Sequence, residues 1–504
     1  MSAANSSTYS ENRMDQALWG DAILASRPYN SSTVTTQSGK MTAVRAAFAQ
    51  VGSLSGACAD WTSDGVVGIS HALGKVKGSQ FVTYAVGYVR EEAINYLGTS
   101  YTGYYRASYP ATNDAVSYFL DDYSSAHTES LNMDTDLATK SLAVVGTNYS
   151  DITSLSLRQA YGTIDITIPN DTLDASNPLA FIKEISSDGN VNTVDVIFPA
   201  FPLYYVQDPE WIKLLLEPVM KYLASGRWKR PYVIHDIGSH YPNATGHDNQ
   251  VAEEMPVEET GNLLILAYAY NLVTPNDIWT PQYMSLFQRY ADYLVNNSLS
   301  ISLQLSTNDA AGPLINETNL AVKGALGLKA FGLLSKMTNY STLGDEHANI
   351  LYKQALATDA NKTHFTLDYI NNESSWKVTF NLYPDLLLNL SSFPAAAYEM
   401  QSDFYPTIRS QGGVALDDRQ TWAKTDWNIW AAGTGSNSTR DMFVDDIWAF
   451  VSNGMNSFPF SDRWVVAGGK GNHAVGEEES LRARPTVGAH FALLALKGAR
   501  YLQW

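Results

Sequence analysis

The feature that most constrains this chain is a change of hydrophobic period near Thr112. Before it, Ala17–Ser26, Val66–Val76 and Gln80–Val89 carry β-branched and aromatic residues between Gly, Ser and Asn breaks, which reads as strands. After it, apolar residues recur at helical spacing in Asn113–His127, Asp134–Gly146 and Thr153–Tyr161. Ser176–Ile185 and Val191–Phe201 continue the series around a turn at residues 186–189. Trp211–Ser225 is amphipathic, and Pro218 within it is expected to kink or split the helix. Pro256 suits a first helical position, with the helix running through Tyr270. Further helices are expected at Pro281–Val295, Glu317–Leu334, Gly344–Thr358, Pro394–Tyr398, Lys424–Ala432, Ser438–Asn453 and Val487–Leu496.

No repeat of fixed period is visible, which argues against a regular solenoid. A mainly α toroid of paired helices fits better, with polar loops gathered over one end. Four or five strands are too few to close a sandwich without exposed edges. The β-region is therefore read as partial, its partner segment cut away by processing or never included.

Charge and sequons narrow the class. A formal charge of −18 repels phosphate backbones and no basic run occurs, so nucleic acid is not an expected partner. No apolar stretch approaches the ~20 residues that span a bilayer, so a membrane is not expected either. Cys58 is the only cysteine, which excludes an intramolecular disulfide and a multi-cysteine metal site. Asn5, Asn30, Asn148, Asn170, Asn243, Asn296, Asn316, Asn339, Asn361, Asn372, Asn389 and Asn437 each begin an N-x-[ST] triplet. Chance gives roughly half as many, so N-linked glycans and a secreted or cell-wall-associated product are expected. Met1–Arg13 holds no signal-peptide core, which places any such signal upstream.

Three polar stretches offer chemistry. Ile234–Asn262 holds His235, His240, His247, Asp236, Asp248, Glu253, Glu254, Glu258 and Glu259. Its spacings match no compact ligand pattern such as H-E-x-x-H, so neither a metal nor a cofactor is expected. Glu258 and Glu259 also suit the dipole of a helix beginning at Pro256. Leu416–Trp427 offers Asp417, Arg419, Lys424 and Asp426 beside Trp422 and Trp427, groups that hold a ligand carboxylate or ammonium. The third, Ser306–Gly312, is a turn-former by composition and precedes Asn319 and Lys323. No G-x-S-x-G elbow occurs, and residues 468–471 lack P-loop spacing.

TVDVIFPAFPLYY from Thr193, IHDIGSHYPNATGH, MPVEETGNLLILAYAY, LSTNDAAG, NETNLAVKG, LDDRQTWAKTDW and RARPTVGAHFALLAL from Arg482 resemble, in order, the hallmark segments of the fungal glutaminase A family. DQALWGDAI from Asp15 resembles the end of that family's β-domain, so the resemblance covers nearly the whole chain. It implies the C-terminal part of an antiparallel β-sandwich over residues 1–108 and an (α/α)6 barrel over 109–504. It also implies secretion and hydrolysis of L-glutamine to L-glutamate and ammonia, with L-asparagine as a second substrate. Asn308, Ala310, Gln420 and Thr260 depart from the residues common in the family, while Asp309 keeps a carboxylate in its motif.

Amide hydrolysis of an amino acid needs a cation for the α-carboxylate, an anion for the ammonium, and acid–base groups at the amide. The expected placement puts Arg419 and Lys424 on the carboxylate and Asp426 or Asp417 on the ammonium. His235, His240 and Trp427 line the pocket, and Asp236, Glu258 and Asp309 are the acid–base candidates. Thr307 and Thr245 are the nearest nucleophiles should an acyl-enzyme form. An (α/α)6 glycoside hydrolase using paired carboxylates is the alternative. A non-catalytic wall-binding glycoprotein is the reading from another class.

Overall fold

The computed structural model describes residues 8–10, 18–29, 32–59, 64–370, 372–468 and 473–498. The chain forms two compact units, Met1–Met133 with Thr167–Pro178, and Asp134–Ile166 with Leu179–Trp504.

In the first unit, β1 (Asp21–Ser26) and β2 (Thr33–Lys40) precede α1 (Met41–Val51), followed by β3 (Gly65–Ala72) and β4 (Tyr84–Val89). β1 pairs antiparallel with β4, Asp21 opposite Val89, and β2 with β3, Thr33 opposite Ala72. The strand expected from Ala17 begins at Asp21, and Ala17 itself lies outside the described residues. Reading the first hundred residues as strands misses α1. Its MTAVRAAFAQV run is rich in alanine, the strongest helix former, and Gly52 ends it in the left-handed conformation at φ 68°. β5 (Ile94–Tyr96) and β6 (Thr99–Gly103) form a hairpin, and β6 also pairs with β7 (Ile164–Pro169), Tyr101 opposite Pro169. α2 (Thr112–Asp121) and α3 (Tyr123–Val144) begin the helical succession.

The second unit carries α4 (Thr147–Tyr161), the short strand β8 (Leu179–Ile182), α5 (Val194–Gln207), α6 (Glu210–Ala224) and β9 (Asn243–Ala244). α7 (Pro256–Val273), α8 (Met284–Asn297), α9 (Thr318–Ser335) and α10 (Thr338–Tyr352) follow. A 3-10 turn at Phe380–Leu382 leads into α11 (Tyr383–Leu387), and α12 spans Ala395–Ile408. β10 (Trp422–Lys424) runs into α13 (Thr425–Thr434), and α14 (Asn437–Ser452) precedes β11 (Arg463–Val465). A 3-10 segment, Pro485–Phe491, leads into α15 (Ala492–Gly498).

Among the described residues, six of these elements close a ring. α5 packs on α7, α7 on α9, and α9 on the Phe380–Leu382 turn. That turn packs on α13, α13 on Pro485–Phe491, and that segment back on α5. α4, α6, α8, α10 and α14 back these inner elements, and α12 packs on α14. Inner helices touch neighbours all round and so lose their polar stripe: every residue of α5 is buried. Phe198, Phe201, Tyr383, Trp427 and Trp430 fill the ring, with Tyr383 and Trp430 centroids 4.7 Å apart.

α6 runs unbroken through Pro218, contrary to a split there, because Leu215, Val219 and Leu223 are buried and tertiary packing outweighs one missing bond. Glycine sets the closest inner approach. A Cβ on Gly261 would sit 2.5 Å from Lys323 Cγ, and one on Gly327 would sit 3.1 Å from Gly261 Cα. Only with hydrogen at both positions can α7 and α9 pack this tightly. No described helix is long and apolar enough to cross a membrane.

Candidate active site at the rim of the ring

The inner elements present their first turns at one rim. Asp195 lies in the first turn of α5, Glu258 and Glu259 in that of α7, and Asp426 in that of α13. Contacts run around the rim. Glu258 of α7 is ion-paired to Lys323 of α9, and Asn319 of α9 accepts from the backbone N–H of Asn381 at 3.2 Å. Phe380 stacks on Trp427 at 4.0 Å. Lys424, ahead of α13, meets Asp462 at 2.8 Å, and Asp462 meets Arg484 at 3.2 Å. Arg484 lies 3.5 Å from Glu184, which accepts from Thr193 at the start of α5.

The loop before α7 supplies the densest arc. Asp236 clasps two imidazoles, with Oδ2 2.9 Å from His235 Nδ1 and Oδ1 2.6 Å from His247 Nε2, and Oδ1 also accepts from the Gly238 N–H. A Cβ on Gly238 would collide with the Asn243 carbonyl, so the glycine lets the loop fold back and aim that N–H. His235 Nε2 faces across the rim, 3.5 Å from Asp195 Oδ1 and 3.7 Å from Glu253 Oε2. His235, Asp195 and Glu259 are all buried, and one ligand-type atom from each lies within 4.8 Å of the others. That trio is the described group able to hold a cation. Glu253, which faces His235, also reaches solvent, with 32% of its side chain exposed.

Electrostatics follow from crowding acids in a dry place. Burial, opposed by His235 and reinforced by Glu184 and Glu258, lifts Asp195 to about 6. Burial lifts Glu253 to about 7, His235 opposing and Asp309 and Asp195 adding. Burial and the Asp195 charge push Glu259 well above the carboxylate range. Burial would also raise Asp236, but hydrogen bonds from His235 and His247 hold it well below that range. For His235 the burial penalty is outweighed by Asp236, Asp195 and Glu259, which raise it well above its ordinary value. Burial lowers Lys323, with Glu258 opposing.

The opposite arc is a buried salt-bridge cluster. Asp462 Oδ2 accepts from Lys424, from Arg484 and, at 2.6 Å, from Thr486, while Lys424 also lies 3.2 Å from Asp426. Arg484 lies in the field of both Asp195 and Asp426, so the two arcs share one electrostatic environment.

Residues 146–494 match the family model described as the glutaminase A six helical-hairpin domain, and residues 1–140 match a domain of unknown function. The chain belongs to the glutaminase A family. Glutaminase A of Aspergillus oryzae is 36% identical over 97% of this chain and 71% of its own length. A protein of Arthroderma benhamiae named as a probable glutaminase is 26% identical over 83% of this chain. The chain spans 58% of that relative's length. Among solved structures, a polysaccharide lyase aligns with a TM-score of 0.40 at 11% identity, over 71% of this chain and 98% of that one, a likeness too slight to carry an argument.

Within this member of the glutaminase A family, the site residues expected from sequence fall into three groups. His235, Asp236 and Glu258 lie on the first arc, and Lys424, Asp426 and Trp427 on the second, where Trp427 Nε1 donates to Asn308 Oδ1 at 3.1 Å. Asp309 is exposed on the short turn Asp309–Ala311, and its charge is felt by Glu253. Asp417 and Arg419 engage each other at 2.7 Å, with Asp417 fully buried. His240 is exposed, and its backbone bridges Gly189 and Asn243. Of the threonines, Thr245 is exposed and Thr307 part-buried.

Asp195, Glu184, Asp462 and Arg484 were outside the three polar stretches read for chemistry, although Asp195 and Arg484 lie in segments that carry the family resemblance. Asp195 had a readable signal: a lone acid within the apolar run Val194–Val206, where burial without a partner is costly. Glu253 and Glu259 stood in the first stretch, but nothing local ranks them above their neighbours.

Proposed function

We propose that this chain hydrolyses L-glutamine to L-glutamate and ammonia. The observation that carries the reading is membership of the glutaminase A family over residues 146–494, joined to a rim where charged groups of α5, α7, α9 and α13 and Arg484, just ahead of Pro485, meet. Such a rim suits a small zwitterion. Lys424 and Arg484 place two cations, paired to Asp462, on one arc, and Asp195, Glu253 and Glu259 place three carboxyl groups on the other.

On geometry, Glu253 is the acid–base group. It reaches solvent and sits against His235, so it can take a proton from water as the oxygen attacks the amide carbon. As the C–N bond breaks, the same carboxyl returns that proton to the departing ammonia. Asp236 fixes the His235 ring, and Lys323 neutralises Glu258 beside it. L-Asparagine, one methylene shorter, is proposed as a second and slower substrate. The sequon density supports a secreted, N-glycosylated product. Ammonia release from L-glutamine and L-asparagine, run beside a panel of aryl glycosides, tests the reading. Turnover of glutamine is expected, and turnover of a glycoside alone would overturn it.

A further inference from the structure

We propose that Asp195, His235 and Glu259 form a binding site for a first-row divalent cation of the zinc or manganese class. The inference goes beyond the glutaminase reading and stands or falls separately from it. The three side chains come from α5, the loop before α7, and α7, and they converge with one ligand-type atom each inside a 4.8 Å span. All three are buried: Asp195 is 6% exposed, His235 3% and Glu259 0%.

Two carboxylate oxygens of the trio are unsatisfied. Asp195 Oδ1 and Glu259 Oε1 are shielded from solvent and accept no hydrogen bond. A buried carboxylate oxygen left without a donor costs free energy that a bound cation would recover. Asp236 fixes which imidazole nitrogen faces the acids. Asp236 accepts hydrogen bonds from the Gly238 N–H and from His247 as well as from His235 Nδ1, so it binds as the anion and Nδ1 carries the proton. Nε2 is thereby left facing Asp195. A carboxylate that holds the far nitrogen of a ligating histidine is the usual outer support of a metal site.

The His235–Asp195 spacing is compatible with a metal ion. His235 Nε2 and Asp195 Oδ1 are 3.5 Å apart. At metal–ligand distances of about 2.0–2.2 Å that separation subtends roughly 105–120°, in keeping with tetrahedral coordination. At hydrogen-bond distances of about 2.9 Å it subtends only roughly 75°, too narrow for two N–H vectors of one ammonium. One imidazole with two carboxylates is a donor set suited to Zn2+ and Mn2+. Glu253 Oε2, 3.7 Å from Nε2 and partly exposed, marks the side from which an ion would enter.

The 504-residue chain, dialysed against EDTA, would be titrated calorimetrically with Zn2+, Mn2+ and Ca2+ in turn, and crystals grown with Zn2+ examined for anomalous scattering. One equivalent of Zn2+ or Mn2+ is expected to bind, with an anomalous peak between the three side chains. E259Q and D195N should each weaken binding at least about tenfold, and D236N, which acts through the His235 imidazole, about 10- to 100-fold. No stoichiometric binding by the wild-type chain would overturn the proposal. So would unchanged affinity in E259Q with native circular dichroism, a peak elsewhere on the acidic surface, or binding of ammonium ion alone. The direct readout is binding, so these results are independent of whether glutamine is turned over.

Discussion

His235 Nδ1 lies 2.9 Å from Asp236 Oδ2, and through that bond the side chain that faces Asp195 and Glu253 is oriented by one that faces away. Asp236 is itself anchored by His247 at 2.6 Å, so the imidazole is held at second hand from the part-buried surface. Asp236→Asn keeps the shape but puts a donor or a weaker acceptor against Nδ1. It is expected to lower kcat for glutamine by about 10- to 100-fold with little change in KM. Steady-state ammonia release at saturating substrate checks this.

Lys323 and Glu258 form an ion pair in which neither side chain is exposed by more than 1%. Lys323→Met leaves the Glu258 carboxylate buried against an apolar neighbour and should destabilise the chain by about 3–5 kcal/mol. Adding Glu258→Gln should restore part of that loss. Urea unfolding of the single and double variants measures both.

His490 is fully buried, 2.6 Å from Ser156 Oγ, and burial, with Asp462 opposing, pushes it down to about 3. Folded, it stays neutral to about pH 3, whereas unfolded it takes a proton near its ordinary value of about 6.5. Between those limits the unfolded state binds more protons, so stability falls as the pH falls, by on the order of 1.4 kcal/mol per pH unit from this group. His490→Gln should lose that component of the slope. Comparing wild-type and variant unfolding free energies at pH 7 and pH 5 gives the difference directly.

Sequon exposure sorts the acceptors. Asn296, Asn339, Asn361, Asn372, Asn389 and Asn437 are exposed, whereas Asn148, Asn170, Asn243 and Asn316 are part-buried. Asn5 and Asn30 lie outside the described residues. Asn316 Oδ1 accepts from the Ile301 N–H, and Asn170 Oδ1 accepts from Arg106, so a glycan there would displace a structural bond. Glycopeptide mass spectrometry of protein from a fungal host should find the exposed set occupied in preference to the part-buried one.

Helices that build the ring were legible because each carries a local signal. Pro256 opens α7 and Glu317 stands just ahead of α9, and both elements fall close to their expected spans. α1 was missed although its alanine-rich run favours a helix, because it sits between two strands and was read with them. α12 extends ten residues past Tyr398 to Ile408, carried by packing that residues 399–408 do not announce. The site divides the same way. His235, Asp236 and Glu258 share one polar loop and could be singled out from it. Asp195, Asp462 and Arg484 are distant in sequence and meet only because ring closure brings the starts of α5 and α13 and residue Pro485 to one rim. Closure is a property of all six inner elements together, so no short window reports it.

Glu253 is the solvent-reaching carboxylate 3.7 Å from His235 Nε2, and the proposed chemistry runs through it. Ammonia release from L-glutamine by wild type and Glu253→Gln, at matched folded concentration, tests it most directly. Clear turnover by wild type is expected, with a kcat lower by about 10²- to 10⁴-fold in the variant and KM within a few fold. Full turnover by Glu253→Gln would contradict it.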